Sequence, residues 1–363
     1  MSSPAERLPD FPWDLLAPFG ERARAHPGGI VDLSIGTPVD STPEIVQRVL
    51  RDSSDAHGYP TTVGTPDLRR SCADWVQRIL GATVSPEAIL PTIGSKEFIA
   101  LLPTLLGLGP DSHVIVPTVA YPTYAVGAAL VGARITATDS PETADRADLI
   151  WINSPSNPTG EVLSVERLRE LVAFARATGA LLVSDECYLE LGWDAEPVSV
   201  LHPSVIGDDH SGVLAVHSLS KRSSLAGYRF GFTTGDPVVL RDLLVVRKHL
   251  GLMVPAPVQH AAAAAYADDA HVAAQRALYR HRRQVLADAL RAHGFAIDHG
   301  EAGLYLWATR GEPCWETVSW FADRGILVTP GDFYGTAGAH HVRIAFTATD
   351  AAVEAFAARL SHG

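Results

Sequence analysis

Short apolar runs alternate with stretches of helical periodicity through the middle of the chain. Near-continuous apolar runs predict strands that are buried on both faces, and apolar residues spaced three or four apart predict helices between them. The predicted strands are residues 89–93, 114–117, 134–137, 149–152, 180–185, 213–217 and 229–233. This alternation predicts an α/β fold with a mostly parallel sheet, in which active sites form at the carboxyl ends of the strands.

The pattern changes after about residue 250. A break at residues 251–257 precedes a long alanine-rich helical stretch that extends to about residue 292. The apolar runs that follow predict the strands of a smaller α+β unit, at residues 304–307, 326–328 and 342–346. We therefore predict an N-terminal arm that joins the small domain, a large domain and a small C-terminal domain, at residues 1–35, 36–250 and 251–363.

The composition argues against several classes of protein. The chain of 363 residues carries 41 acidic and 29 basic residues, and its net charge of −12 argues against binding to nucleic acid. No stretch approaches the ~18 apolar residues of a membrane span, and the N-terminus lacks the apolar core of a signal peptide. Cys72, Cys187 and Cys314 lie far apart, without the spacing of a metal site or a disulfide framework. We expect a cytoplasmic protein without a metal ion.

A lysine follows the apolar run at residues 213–216, within the segment Ser218–Gly231. A lysine at a strand end acts as a covalent amine catalyst when its surroundings lower its pKa. Hydroxyl and guanidinium groups, here those of Ser218, Ser220 and Arg229, are suited to phosphate oxygens. The combination indicates pyridoxal phosphate (PLP) bound to Lys221 as a Schiff base. For this motif alone, a solvated polar loop is the alternative.

Other polar and aromatic side chains also follow predicted strands. Asn157 lies in the turn Ser156–Gly160, where it could also be only a turn former. Asp185 could pair with a protonated pyridine nitrogen or only cap a helix, and Tyr188 could donate to the cofactor's phenolic oxygen. The remaining members of this group are Tyr121, Ser95 and Lys96, and the last two open a helix whose free amides favour phosphate.

Together these motifs resemble the fold-type I PLP-dependent aminotransferases of class I and II, from the Gly36-Thr37-Pro38 turn to Arg343. Ser218-Leu219-Ser220-Lys221 with Arg229 carries the strongest match. The resemblance implies a large domain with a mostly parallel seven-stranded sheet, a smaller α+β domain and PLP as cofactor. It also implies a homodimer with shared active sites, acting on amino acids and 2-oxo acids.

The resemblance also implies the role of each site residue. Lys221 would form the Schiff base and move protons, and Asp185 would hold the pyridinium nitrogen. Arg343 would bind the substrate's α-carboxylate, assisted by the Gly36 amide and Asn157. The other residues would contact the cofactor: Asn157 and Tyr188 at its phenolic oxygen, Tyr121 on its ring, and Ser95, Lys96, Ser218, Ser220 and Arg229 at its phosphate. Tyr59 would reach the phosphate of the neighbouring subunit.

Within the family, three segments suggest a substrate. Residues 94–97 resemble the aminotransferases of the diaminopimelate branch of lysine biosynthesis, and residues 252–259 and 303–307 resemble actinobacterial N-succinyldiaminopimelate aminotransferases. This implies amino transfer between glutamate/2-oxoglutarate and N-succinyl-2-amino-6-oxopimelate. Such a substrate needs a second cationic site, and the candidates are Lys248, Arg222 and Arg22, each of which could instead be a solvated surface charge. The loop at residues 251–257 is a candidate wall of the distal pocket.

Three other functions are compatible with the same scaffold. The chain could be an aminotransferase of another amino acid or a carbon–sulfur lyase, because the motifs do not separate transfer from elimination. A third reading is a transcription regulator with an aminotransferase-like domain. The Gly36 turn comes too early in the sequence for the helix-turn-helix region that precedes such domains.

Overall fold

The structure is a computed structural model that describes residues 4–9 and 12–361. Its strands are β1 (Val31–Asp32), β2 (Leu90–Thr92), β3 (His113–Val116), β4 (Arg134–Ala137), β5 (Leu149–Asn153), β6 (Leu181–Asp185), β7 (Val213–Ser218), β8 (Gly231–Gly235), β9 (Ala296–Ile297), β10 (Tyr305–Thr309), β11 (Ile326–Leu327), β12 (Thr329–Pro330) and β13 (Val342–Ala345).

The helices cover the strands and connect them. They are α1 (Ala17–Arg24), α2 (Glu44–Asp52), α3 (Pro66–Leu80), α4 (Ser95–Leu105), α5 (Thr123–Val131), α6 (Val165–Thr178), α7 (Pro203–Ile206), α8 (Leu219–Arg222), α9 (Pro237–Leu250), α10 (Ala256–Ala267), α11 (Ala270–Ala292), α12 (Cys314–Ala322) and α13 (Asp350–Ser361). None of the helices in the described part of the chain is long and apolar enough to cross a membrane.

A seven-stranded sheet with the order β2-β8-β7-β6-β5-β3-β4 forms the centre of the large unit. Strands β7, β6, β5, β3 and β4 are parallel to one another, whereas β8 is antiparallel to both of its neighbours. The predicted α/β fold with a mostly parallel sheet is therefore confirmed.

Both faces of this sheet are buried, as the continuous apolar runs predict. In β5, Ile150 and Ile152 pack on the face covered by α3, α6 and α10. The alternate residues Leu149 and Trp151 pack on the other face, against α4, α5 and α9. Asn153, Asp185 and Ser218 lie at the carboxyl ends of β5, β6 and β7, which is where the candidate site forms.

Local sequence signals set the ends of the helices next to this sheet. The hydroxyl group of Thr65 accepts a hydrogen bond from the Leu68 amide at 3.2 Å at the start of α3, and Gly81 ends the helix with a φ of +66°. Ser164 and Gly179 cap α6 in the same way. These residues satisfy backbone groups that a helix leaves unpaired at its ends.

The smaller unit contains a four-stranded antiparallel sheet with the order β12-β13-β10-β9. Next to it, β1 pairs in parallel with β11, so that a segment near the N-terminus joins the C-terminal part of the chain. The domain boundaries at residues 35 and 250 remain predictions. Because α10 contributes Ala261, Ala262 and Tyr266 to the same apolar cluster as α3, we propose that the second boundary lies after α10.

Two predicted elements differ from those of the structure. The strand expected at residues 229–233 begins only at Gly231, because a short helical turn at Ala226–Tyr228 ends at Arg229 with a φ of +55°. The helical stretch expected to run to residue 292 is interrupted between α10 and α11. There the extended backbone of Asp268 ends α10, and its carboxylate accepts a hydrogen bond from the His271 amide at 3.2 Å.

Candidate active site

Three neighbouring parallel strands end in polar residues at the same edge of the sheet. Asn153, Asp185 and Ser218 are the last residues of β5, β6 and β7, and Asn153 lies opposite Asp185 in the strand register. The Asn153 amide group donates to the Asp185 carbonyl oxygen at 2.8 Å, and its oxygen accepts from the Asn157 amide at 2.7 Å. Asn153 thereby fixes the turn that carries Asn157 against the end of β6.

Asp185 is a buried carboxylate without a cationic partner. It accepts hydrogen bonds from the Tyr124 hydroxyl group at 2.8 Å and from the Cys187 amide at 3.2 Å. Burial raises its pKa above the usual value, against the effect of these donors. No Lys, Arg or His of the described residues lies within ion-pairing distance of it, so the site can accept a cation at this position.

Lys221 follows β7 on the single-turn helix α8. The Ser218 hydroxyl group accepts from the Ser220 amide at 3.1 Å and so begins this turn. The Lys221 amine donates to the Gly36 carbonyl oxygen, and burial lowers the pKa of the amine below that of an ordinary lysine. A larger fraction of the amine is therefore neutral, and available as a base or nucleophile, than in a solvated lysine.

A corner rich in phosphate-binding groups lies beside this turn. Gly94 begins α4 with a φ of +75°, and the guanidinium carbon of Arg229 lies 2.9 Å from the position of a Cβ at residue 94. Gly231 pairs with Ser218 across β7 and β8, and a Cβ at Gly231 would lie 3.0 Å from the Ser95 amide. The structure therefore brings together four of the predicted residues, namely Ser95, Ser218, Ser220 and Arg229.

The start of α4 is held by an ion pair that the sequence did not predict. Arg247 in α9 is fully buried and binds Glu97 through two hydrogen bonds of 2.9 and 3.2 Å. Glu97 also accepts from the Ile93 amide at 3.1 Å. By contrast, Lys96 is exposed, with its amine 6.0 Å from the ring centre of Tyr121.

Tyr121 and Tyr188 line the same space. Tyr121 packs edge-on against Tyr124, with 5.8 Å between the ring centres, and burial raises the pKa of Tyr121 to about 12. Tyr188 is buried, and its hydroxyl oxygen lies 3.3 Å from that of Tyr305. Both phenols therefore remain protonated at neutral pH and can donate a hydrogen bond.

Arg343 reaches this space from β13 of the small sheet. Its two terminal nitrogens donate to the Ser34 carbonyl oxygen at 2.6 Å and to the Asn157 side-chain oxygen at 3.1 Å. The guanidinium group is 4.1 Å from the ring centre of Tyr305, and its Nε has no partner among the described residues. A buried, planar cation with a free donor is suited to a carboxylate.

Tyr59 is the predicted residue that the structure does not bring to this group. Its side chain is 98% exposed in the loop before α3. It lines a separate surface cavity of about 720 Å³ together with Asp52, Asp55 and His57.

Two of the three candidates for a second cationic site form ion pairs within the chain, and the third is exposed. Arg222 is buried, forms an ion pair with Glu190 and lies 5.1 Å from the ring centre of Tyr266. Its charge therefore stabilises contacts within the chain. Arg22 forms an ion pair of 3.0 Å with Asp323 on the small unit. Lys248 is exposed near the end of α9.

Sequence reasoning missed two tyrosines of the site. Tyr124 lies three residues after Tyr121, a spacing that brings side chains together at the start of a helix and could have identified it. Tyr305 belongs to an apolar strand, and a strand pattern gives no sign that its hydroxyl group faces a site. In both cases the functional group is the hydroxyl of a residue that otherwise belongs to the core.

Comparison with known proteins identifies the family. The family model of class I and II aminotransferases matches residues 29–360. The chain belongs to the class I and II aminotransferases. It is 57% identical to a 4-dedimethylamino-4-oxo-anhydrotetracycline transaminase of Streptomyces rimosus, over 98% of this chain and 99% of that protein.

Further relatives of this aminotransferase agree with that assignment. A probable aminotransferase of Mycobacterium tuberculosis is 58% identical over 98% of this chain and 85% of that protein. An LL-diaminopimelate aminotransferase of Dehalococcoides mccartyi is 31% identical over 99% of this chain and 98% of that protein. The crystal structure of an aminotransferase from Neisseria meningitidis superposes with a TM-score of 0.92 at 30% identity, over the whole of both chains.

Aminotransferases of this class depend on PLP, and the residues present fit that cofactor. Among the described residues no cation pairs with the buried carboxylate of Asp185, which suits a protonated ring nitrogen. The free amides at the start of α4, with Ser218, Ser220 and Arg229, suit a phosphate group, and Lys221 supplies a buried amine. When bound, PLP supplies an electron sink for a carbanion at the substrate's α-carbon.

Proposed function

We propose that this PLP-dependent aminotransferase exchanges amino groups between amino acids and 2-oxo acids at Lys221, with glutamate/2-oxoglutarate as one substrate pair. One observation carries the proposal. Lys221, at the end of β7, and Arg343, from the small sheet, are joined through one short segment, since Gly36 accepts from the lysine and Ser34 accepts from the arginine. An amine and a carboxylate-binding cation are thus held within reach of a single amino acid.

In this proposal Lys221 moves the proton at its Nζ atom. The lowered pKa allows the amine to take the proton from the substrate's α-carbon and deliver it to a second carbon atom. The Gly36 carbonyl oxygen orients the amine before substrate arrives. Arg343 binds the α-carboxylate, and Asn157 and Ser34 keep its fork in one orientation.

The remaining residues hold the cofactor. Asp185 would bind the ring nitrogen, and Tyr121 would cover the ring. Tyr188 and Asn157 would contact the phenolic oxygen, and the phosphate would bind at Ser95, Ser218, Ser220 and Arg229, with Lys96 at the edge. We also propose a homodimer in which Tyr59 reaches the phosphate in the other subunit, which its almost complete exposure in one chain supports.

For the acceptor we propose N-succinyl-2-amino-6-oxopimelate. The supporting observations are the segments at residues 94–97, 252–259 and 303–307 and the similarity to an LL-diaminopimelate aminotransferase. A cyclic ketone is the second candidate, favoured by the 57% identity to a transaminase of a 4-oxo-anhydrotetracycline. Arg22 and Arg222 each form an ion pair within the chain, with Asp323 and Glu190, and this also favours an acceptor with fewer carboxylates.

A direct assay separates the two acceptors. The purified enzyme is given glutamate and either acceptor, with an aromatic and a branched-chain 2-oxo acid as comparisons, and 2-oxoglutarate formation is measured. We expect preferential turnover of the succinylated oxo acid and none in the Lys221→Ala variant. Preference for the ring ketone would replace the first candidate with the second. Preference for one of the comparison acids would reject both and leave the amino-transfer proposal standing.

A further inference from the structure

Tyr305 in β10 occupies a central position in the site, but the proposed roles leave it without a function. The residue is 4% exposed, and its ring lies beneath the guanidinium group of Arg343, with 4.1 Å from the guanidinium carbon to the ring centre. This distance is typical of a cation–π contact. Tyr305 also lies opposite Ala345 in the strand pair, so its backbone is fixed relative to the strand that carries Arg343.

The other end of the Tyr305 side chain lies at the Lys221 end of the site. A Cβ at Gly36 would collide with the Tyr305 hydroxyl group and would lie 2.8 Å from its ring carbon Cε1. The Gly36 carbonyl oxygen is the group that accepts from the Lys221 amine. The tyrosine therefore spans the distance from the carboxylate-binding arginine to the reactive lysine, and residue 36 must be glycine to admit it.

The hydroxyl group of Tyr305 has polar neighbours rather than a purely apolar surrounding. Its oxygen lies 3.3 Å from the hydroxyl oxygen of Tyr188. Although burial alone would raise the pKa of Tyr305, the charges of Arg343 and Lys221 lower it below the usual value. The pKa of Tyr188, by contrast, is raised, first by burial and then by Tyr305.

We propose that Tyr305 is a further residue of the active site with two separable roles. Its ring holds the Arg343 guanidinium group in the orientation that binds a carboxylate, and its hydroxyl group contacts the bound amino acid beside Lys221. The inference rests on the proposed function, because a substrate with its carboxylate on Arg343 and its amine at Lys221 must lie along the tyrosine.

The alternative is that Tyr305 is only a core residue, since its ring belongs to the apolar cluster of the small unit. The two readings differ in what a phenylalanine would do. A core residue tolerates the loss of one buried hydroxyl group with little effect on either binding or turnover. An active-site residue loses turnover when the hydroxyl group is removed, and loses carboxylate binding only when the ring is removed as well.

The test compares Tyr305→Phe and Tyr305→Leu in the PLP-loaded enzyme. Glutarate, a carboxylate that has the carbon skeleton of glutamate and no amine or oxo group, is titrated by calorimetry, and kcat and KM for glutamate are measured alongside. In Tyr305→Phe we expect an unchanged glutarate Kd and a kcat for glutamate lower by about ten-fold. In Tyr305→Leu we expect glutarate to bind about ten-fold more weakly as well.

The roles of the hydroxyl group and of the ring are tested by different measurements. An unchanged kcat in Tyr305→Phe would reject the contact of the hydroxyl group with the substrate. An unchanged glutarate Kd in Tyr305→Leu would reject the role of the ring, and this measurement does not depend on turnover. Thermal unfolding of both variants identifies a folding defect, and Tyr305→Phe keeps the ring that packs in the core. If wild type binds glutarate but transfers no amino group from glutamate, the proposed function is wrong rather than this inference.

Discussion

Replacement of Tyr124 by phenylalanine removes one hydrogen bond from the carboxylate of Asp185. The bond is 2.8 Å long and both residues are buried, so a charge-assisted hydrogen bond of about 1.5–3 kcal/mol is lost. The pKa of Asp185, already raised by burial, rises further, and the carboxylate holds a ring-nitrogen proton less strongly. We expect PLP affinity or kcat to fall by about 10- to 100-fold. The fold is retained because the ring still stacks on Trp151, at 5.0 Å between centres.

The assay is reconstitution of the apoenzyme with PLP, followed by kcat for glutamate. Tyr266→Phe is the matched control, because Tyr266 is also a fully buried tyrosine and its hydroxyl group has no hydrogen-bond partner among the described residues. That variant is expected to match wild type in PLP affinity and kcat. Equal effects of the two substitutions, or no effect of Tyr124→Phe on either quantity, would show that the hydrogen bond from Tyr124 does not support the role of Asp185.

Three further predictions concern the phosphate corner, a buried ion pair and a buried carboxylate. Gly94→Ala places a methyl group against the guanidinium group of Arg229, at a φ of +75°. Reconstitution of this apoenzyme should therefore need at least about ten-fold more PLP than wild type. The control Gly107→Ala, at a φ of +71° but in open space, should reconstitute like wild type. Arg247→Met leaves Glu97 without its cation and should lower the free energy of unfolding by about 3–5 kcal/mol, measured in urea. The second change Glu97→Gln should restore part of this loss. An unchanged midpoint of urea unfolding in Arg247→Met would contradict the prediction. Glu186 follows β6, is buried, and accepts hydrogen bonds of 2.7 Å from the Ser199 hydroxyl group and from the Val200 amide. Burial raises its pKa to about 7 from the ordinary 4.5, so the folded state binds the extra proton and stability falls as pH rises from about 4.5 to 7. Glu186→Gln should remove up to about 3 kcal/mol of this fall, and identical pH profiles would contradict this expectation.

The sequence predicts the sheet and one edge of the site because both depend on short-range patterns. Apolar runs identify the strands, and parallel strands bring their ends together, which places Asn153, Asp185 and Ser218 side by side. The turn residues next to them, Asn157 and Lys221, follow at fixed positions in the chain. These placements need no knowledge of how the small unit packs.

What the sequence could not predict depends on contacts between distant segments. Arg222 was a candidate for substrate binding, but its partner Glu190 is 32 residues away and can be found only in the folded chain. Tyr305 looks like a core residue because a strand pattern does not show where a hydroxyl group lies. Arg229 was expected in a strand, although the left-handed backbone there turns its guanidinium group towards Gly94.

We propose that Lys221 is the residue that binds PLP covalently. The sequence contains three lysines, Lys96, Lys221 and Lys248, and Lys96 and Lys248 are exposed. Reduction of the PLP-loaded enzyme with borohydride, followed by proteolysis and mass spectrometry, identifies the lysine that carries the cofactor. We expect pyridoxyl modification at Lys221 and its absence in Lys221→Ala. Modification of Lys96 or Lys248 in place of Lys221, or of no lysine at all, would show that Lys221 does not bind the cofactor.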